Sequence, residues 1–186
     1  MASEEVQYTI VESPIGEFLA GTTSKGVCLF EFADRGGLQC IQARILKRYK
    51  MEMVEGKNEL LNEVEKQAGE YFNGKRAEFD LPLDQKGTAF ELSVWNELMK
   101  IPVGKTCSYG EMAERLGKPG AARAVGKANG ANYIAVIVPC HRVIEASGEL
   151  RGYGGGLWRK KWLLDHERKM VQERNRECVT GVFALS

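Results

Sequence analysis

Ser108-Tyr-Gly-Glu-Met-Ala-Glu-Arg-Leu-Gly-Lys-Pro-Gly-Ala-Ala-Arg-Ala-Val-Gly-Lys-Ala128 decides how the second half of the chain folds. Ser108 is a good N-cap, and Glu111 follows at capping-box spacing, so a short helix is expected over Glu111, Met112 and Leu116. Gly117-Lys-Pro-Gly120 reads as a tight turn, and residues 121–128 as a second helix. Helix, turn, helix is the outline of a DNA-binding motif, but ordinary antiparallel helix pairs share it. The second helix is nearly all Ala and Gly, with Arg123 and Lys127 projecting. Small residues let a backbone approach another surface closely, and two cations suit phosphates. Tight helix–helix packing also wants small residues, but a fully packed face would not carry both charges.

Working outward, Thr88 caps a helix through Phe90, Val94, Trp95 and Leu98, which Pro102 and Gly104 end. The apolar run Ile134-Ala-Val-Ile-Val138 reads as a buried strand. Toward the N-terminus, Tyr8-Thr-Ile-Val11, Glu17-Phe-Leu-Ala20 and Gly26-Val-Cys-Leu-Phe-Glu-Phe32 read as strands of an antiparallel meander. Apolar residues at 38, 41, 45, 46 and 49, and again from 60 to 72, keep helical period. Phe79-Asp-Leu-Pro-Leu83 is a short edge segment, because Pro82 cannot donate to a ladder. The fold class is α+β: a strand–helix unit over residues 1–86, a mainly helical unit over 87–170 after Lys86-Gly87, and a tail over 171–186.

Charged residues at 27% and hydrophobic ones at 44% are a globular balance, and the glycines follow no period, which excludes disordered and collagen-like classes. No apolar run reaches the ~20 residues of a membrane helix, so no membrane partner is expected. Met1-Ala-Ser-Glu-Glu5 is acidic and lacks a signal-peptide core, which points to the cytoplasm, or the nucleus in a eukaryote. The net charge of +1 hides an asymmetry: residues 1–86 hold 11 Lys/Arg against 15 Asp/Glu (−4), and residues 87–186 hold 15 against 10 (+5). The basic half suits a polyanion. The five cysteines are odd in number and lack a C-x-x-C, which suits a reducing compartment. The only histidines are His141 and His166, so Cys28 and Cys40 have no imidazole partner in the first half, and no metal or cofactor is expected.

The chemistry concentrates in Val138-Pro-Cys-His-Arg-Val-Ile144. Pro139 stops the preceding strand and fixes the backbone, so Cys140 sits at a rigid exit. His141 and Arg142 put ionisable groups beside it, and cationic neighbours lower a thiol's pKa and favour the nucleophilic thiolate. Glu167 in Asp165-His-Glu167 is placed to orient an imidazole as the third member of a relay.

Val-Pro-Cys-His-Arg-Val at 138–143 resembles the active-site motif of the O6-alkylguanine-DNA alkyltransferases. The resemblance extends through Ser108-Tyr-Gly110, Ala121-Ala-Arg-Ala-Val-Gly126, Asn132, Gly152-Tyr-Gly-Gly-Gly-Leu157 and Trp162-Leu-Leu-Asp-His-Glu167. It implies a ribonuclease-H-like N-terminal domain acting as a scaffold, and a C-terminal domain with a winged-helix-like helix-turn-helix. It further implies that Cys140 takes the alkyl group from guanine O6, irreversibly and once per molecule. His141 accepts the thiol proton through a water, Glu167 polarises His141, and Asn132 holds the turn before the active-site strand. Tyr109 presses on the target nucleotide, and Val143, Tyr153, Gly154 and Gly155 line the base pocket. Arg123 fills the gap left by the extruded base, while Ala121, Ala122, Gly126 and Lys127 meet the minor groove. The implied partner is double-stranded DNA with alkylated bases, met by a monomer.

One departure bears on the pocket: relatives commonly have Pro after the matching Asn, where this chain has Tyr133. Lys160 and the basic tail are left without an assigned role. Three other readings stay open on sequence. A lesion-binding protein without chemistry would lack the nucleophilic cysteine. A helix-turn-helix regulator would read bases. A cysteine hydrolase would turn over repeatedly.

Overall fold

The computed structural model describes residues 4–183, with side chains to Val179. The Met1-Ala-Ser segment and the last three residues of the tail lie outside the described residues. Three strands form the expected meander: β1 (Val6–Val11), β2 (Phe18–Thr23) and β3 (Gly26–Phe32), each antiparallel to the next. A fourth strand, β4 (Met53–Glu55), lies parallel to β1 at the far edge, giving the order β3-β2-β1-β4. Its three residues offered too little pattern to be read as a strand from sequence. Before it comes α1 (Gly37–Tyr49), which packs Ile41, Ile45 and Tyr49 on one face of the sheet against Val6, Leu19 and Leu29. On the other face, α2 (Glu59–Phe72), capped by the Asn58 side chain, buries Leu61, Val64, Ala68 and Tyr71. Phe18 and Phe30 stack there at 4.3 Å, inside the larger core that continues into the second half.

In the second half, α3 (Ala89–Leu98) starts at a full Thr88–Glu91 capping box. The two-residue strand β5 (Cys107–Ser108) leads into α4 (Tyr109–Arg115), which starts at the Ser108–Glu111 box as expected. Gly117 and Gly120 take the positive φ values of 67° and 86° that turn the chain into α5 (Ala122–Gly130). Trp95 Nε1 donates to Ala128 O at 2.9 Å and ties α3 to α5. The short strand β6 (Val143–Ile144) pairs parallel with β5, and the last helix, α6 (Leu157–Phe183), runs unbroken through the residues read as a tail.

The expected strand at 134–138 is not a strand. Val138 N donates back to Ile134 O at 2.9 Å and Ile137 N to Ala135 O at 2.7 Å, so the run folds into a tight turn. Val136 sits at φ 68°, a left-handed conformation that is strained for a β-branched residue. The run is buried as its composition requires, but a short apolar run does not itself separate strand from turn.

This turn is docked on the edge of β3. Phe30 N donates to Tyr133 O, and Ala135 N to Phe30 O, both at 2.8 Å. Leu83 bridges Val27 further along the same edge, as its edge reading required, with Val27 N bonding to Pro82 O at 2.8 Å. The edge of β3 is thereby covered, which removes a row of unpaired backbone groups from solvent. The same contacts fix the position of the Cys140 segment relative to the sheet.

Candidate active site

Pro139 precedes a single 3-10 turn, Cys140–Arg142. Asn129 Nδ2, on α5, holds Cys140 O at 3.1 Å. Asn132 holds the preceding turn from inside. Its Oδ1 accepts from Ile134 N at 3.0 Å, and its Nδ2 donates to Ile134 O and Val138 O at 3.3 and 3.2 Å. Asn132 holds a turn, as the resemblance implied, but the turn is the 134–138 run itself and no strand follows it before Cys140. Tyr133 packs under α1: the Arg48 guanidinium lies 3.7 Å from its ring centroid, with Arg44 at 5.2 Å.

Behind Cys140 lies a buried relay. His141 Nε2 is 2.7 Å from Glu167 Oε1. A carboxylate partner assigns the ring proton to Nε2, which leaves Nδ1 as a lone pair, and Nδ1 is buried without a protein partner. Glu167 also accepts from Arg142 through both oxygens at 2.9 Å, from the Tyr71 hydroxyl at 2.8 Å and from Gly104 N at 3.2 Å. Burial opposes charge on Glu167, but His141 and Arg142 outweigh it and hold the carboxyl well below its usual range. His141 is fully buried; burial pushes its pKa down more strongly than Glu167 pulls it up, so it rests as the neutral imidazole.

The thiol behaves differently from the sequence expectation. The two neighbours along the chain do not activate it: His141 is neutral, and Arg142 turns away to Glu167 and to Ile101 O at 2.5 Å. Burial raises the Cys140 pKa above its ordinary 9.0, with the Asn132 amide pulling in the other direction, so the resting group is a thiol. A base must remove its proton during reaction, and the free Nδ1 of the adjacent His141 is chemically suited to that task.

Cys140 faces a narrow cavity of about 10 Å³, room for roughly one water molecule. Asn132, Tyr153, Gly154 and Gly155, all expected at the site, line it. The Tyr153 hydroxyl is buried without a partner. Val143 does not line it; its side chain is buried and its carbonyl accepts from Lys160 Nζ at 2.6 Å. Lys160 itself is fully buried and also donates to Arg151 O at 2.9 Å, so it ties two segments together and is not a surface cation. Nor is the first half only a scaffold, because Glu31, Phe32 and Arg35 form one wall of the cavity. Nothing in the strand pattern marked them, since the contact depends on how the two halves meet.

A second, open hollow of about 300 Å³ runs beside α5, lined by Tyr109, Ala122, Arg123, Gly126, Glu145, Arg151 and Gly152. Gly152 lines both hollows. Tyr109 is half-buried, and its hydroxyl donates to Arg151 O at 3.3 Å. Arg123 and Lys127 are both exposed, as the charge argument required, while Ala121 is half-buried at the head of the helix. Most of the expected site residues therefore fall into three groups: Cys140, Asn132, Tyr153, Gly154 and Gly155 at the cavity, His141 and Glu167 behind it, and Tyr109, Ala122, Arg123 and Gly126 along the hollow; Val143, Ala121 and Lys127 line neither. Among the described residues, no three His, Cys, Asp or Glu side chains cluster as a metal site, and no helix is long and apolar enough to cross a membrane.

The sequence matches two family models, the ribonuclease-like domain of 6-O-methylguanine DNA methyltransferase over residues 6–85 and its DNA-binding domain over residues 89–169. A methylated-DNA–protein-cysteine methyltransferase of Methanosarcina acetivorans is 43% identical over 163 residues, covering 86% of this chain and 97% of that protein. Its namesake in Mycolicibacterium paratuberculosis is 61% identical over 103 residues, a stretch that spans 55% of this chain and 62% of that relative's length. Among solved structures, Mycobacterium tuberculosis OGT in complex with DNA superposes with a TM-score of 0.76 at 41% identity, covering 88% of this chain and 94% of that one. The chain belongs to the 6-O-methylguanine DNA methyltransferase family.

Proposed function

We propose that this protein repairs DNA by direct reversal, moving an alkyl group from guanine O6 onto Cys140. The observation that carries the reading is the buried relay: His141 donates its Nε2–H to Glu167 and keeps an unpartnered Nδ1, one residue along the chain from a thiol that faces a cavity. The thiol proton passes through a water to Nδ1, and Glu167 stabilises the imidazolium that forms. The sulfur then attacks the alkyl carbon; the S–C bond forms, the C–O6 bond breaks, and the electron pair leaves with the guanine, which takes up a proton. A thioether has no acyl carbon for water to attack, so the thiol is not regenerated and each chain acts once.

The alkylated atom lies inside the duplex, so the nucleotide is extruded first, at a cost of a few kcal/mol. The α5 face supports this step. Ala121, Ala122 and Gly126 fit a narrow minor groove, Lys127 meets phosphate, and Arg123 occupies the vacated stack. Tyr109 presses on the extruded nucleotide, and Tyr153 to Gly155 shape the base pocket. In this reading residues 1–86 and 87–170 are the two domains. The protein works without a cofactor, as a monomer, on double-stranded DNA bearing alkylated bases, in the cytoplasm.

The test separates binding from chemistry. Cys140→Ala is expected to bind a duplex bearing O6-methylguanine and to transfer nothing from it. Retained transfer by Cys140→Ala would remove the nucleophile from the account.

A further inference from the structure

We propose that Arg35 is the gate of the catalytic cavity: its guanidinium closes the mouth over Cys140, and a base enters only when that side chain swings out. The proposal rests on the alkyl-transfer reading above and adds a residue from the first half to it. Arg35 follows β3, four residues after Glu31, and reaches across the cavity. Its Nη1 donates to Glu31 Oε2 at 2.8 Å, and its Nη2 donates to Gly130 O, at the end of α5, at 3.3 Å. A Cβ built on Gly154 would fall 2.4 Å from Arg35 Cζ, so the guanidinium lies directly against the glycine loop. One side chain thus touches β3, α5 and the loop, three of the cavity's walls.

The space left beneath is about 10 Å³, far too small for a purine, so something at the mouth must move before reaction. The backbone on either side is tied down. Gly155 is pressed on Phe32, and its carbonyl accepts from Arg159, which also grips Asp34 through two bonds of 2.8 Å. Arg35 is the mobile choice. It is 30% exposed, its stem is long and unbranched, and the Gly130 carbonyl is its weaker partner. When it leaves, the buried Glu31 carboxylate keeps Arg44 at 3.7 Å. Glycine at 154 follows from the same arrangement, because any side chain there meets the closed guanidinium.

The test measures access to the sulfur without needing alkyl transfer. Wild type, Arg35→Ala and Gly154→Ala are treated with iodoacetamide, and Cys140 labelling is followed by peptide mass on the tryptic peptide of residues 128–142. The exposed Cys178 is the internal reference. A gate open a tenth of the time lowers the apparent rate about tenfold, so Arg35→Ala should label Cys140 about tenfold faster than wild type. Removing a nearby cation disfavours the thiolate, so electrostatics alone predicts the opposite change. Gly154→Ala keeps the charge but displaces the guanidinium, and should also label faster, by a smaller factor. Labelling that is unchanged or slower in Arg35→Ala, or unchanged in Gly154→Ala, overturns the gate. A protein that passes this test yet takes no benzyl group from O6-benzylguanine would keep the gate and lose the alkyl-transfer reading.

Discussion

Tyr71 donates its hydroxyl to Glu167 at 2.8 Å across 96 residues of sequence, so a helix of the first half helps to position the carboxylate that orients His141. The same carboxylate neutralises the buried Arg142. Glu167→Gln would leave that guanidinium without its counter-charge and should cost about 3–5 kcal/mol of stability. Tyr71→Phe removes one donor from an oxygen that keeps two others, and should cost only about 1 kcal/mol. Urea denaturation checks both. Equal losses would mean that the relay does not depend on the Arg142–Glu167 charge pair.

Acid should weaken the protein in two steps. Folded His141 resists protonation, whereas the unfolded chain takes up that proton at the ordinary value of 6.5. The unfolded state then binds more protons, so stability falls as pH drops below about 6.5. Glu167 is held below its ordinary 4.5, so its contribution is complete above that value and is lost as pH falls further, toward its folded pKa. In thermal melts across pH 7 to 5, His141→Gln should flatten the first decline. An unchanged slope would mean that His141 takes up its proton equally readily in the folded and the unfolded chain.

Part of this site was legible from residue types, and the rest of its expected residues came from the family resemblance. The Ser108 capping box names its own partner three residues on, and Thr88 is a good cap by residue type, so α4 and α3 started where expected. The Pro-Cys-His-Arg run marked the proposed nucleophile because its elements are contiguous. What was lost depends on distance in the chain. Glu31, Phe32 and Arg35 reach the cavity only because β3 docks against the Asn132 turn, and no local pattern encodes that meeting. Arg142 was read as a neighbour that activates the thiol, but a carboxylate 25 residues on claims it. The apolar run at 134–138 was read correctly as buried and wrongly as extended, because Asn132 supplies hydrogen bonds to the backbone that a strand would take from a neighbour.

That turn gives a third prediction. Asn132→Ala leaves the buried Ile134 N–H without its acceptor, a loss of about 1–3 kcal/mol. It also frees the strained Val136 turn beneath Cys140. Transfer should slow more than global stability explains, when single-turnover rates are compared at a temperature where both proteins remain folded. A rate unchanged despite the stability loss would separate the turn from the chemistry.

On α5, Lys127 and Arg123 should fail in different ways. A lysine on phosphate contributes about 0.9 to the slope of log affinity against log salt, so Lys127→Ala should reduce that slope by about this amount. Arg123→Ala should slow transfer from duplex DNA far more than reaction with free O6-benzylguanine, which needs no extrusion. Equal losses on both substrates would remove Arg123 from base extrusion.

The central claim is chemical and can be read by mass. The protein is mixed with excess duplex carrying isotopically labelled O6-methylguanine, digested, and mapped. The account predicts one label per chain, on Cys140, with no further uptake on longer incubation. Label on another residue, or more than one equivalent released per chain, would contradict it.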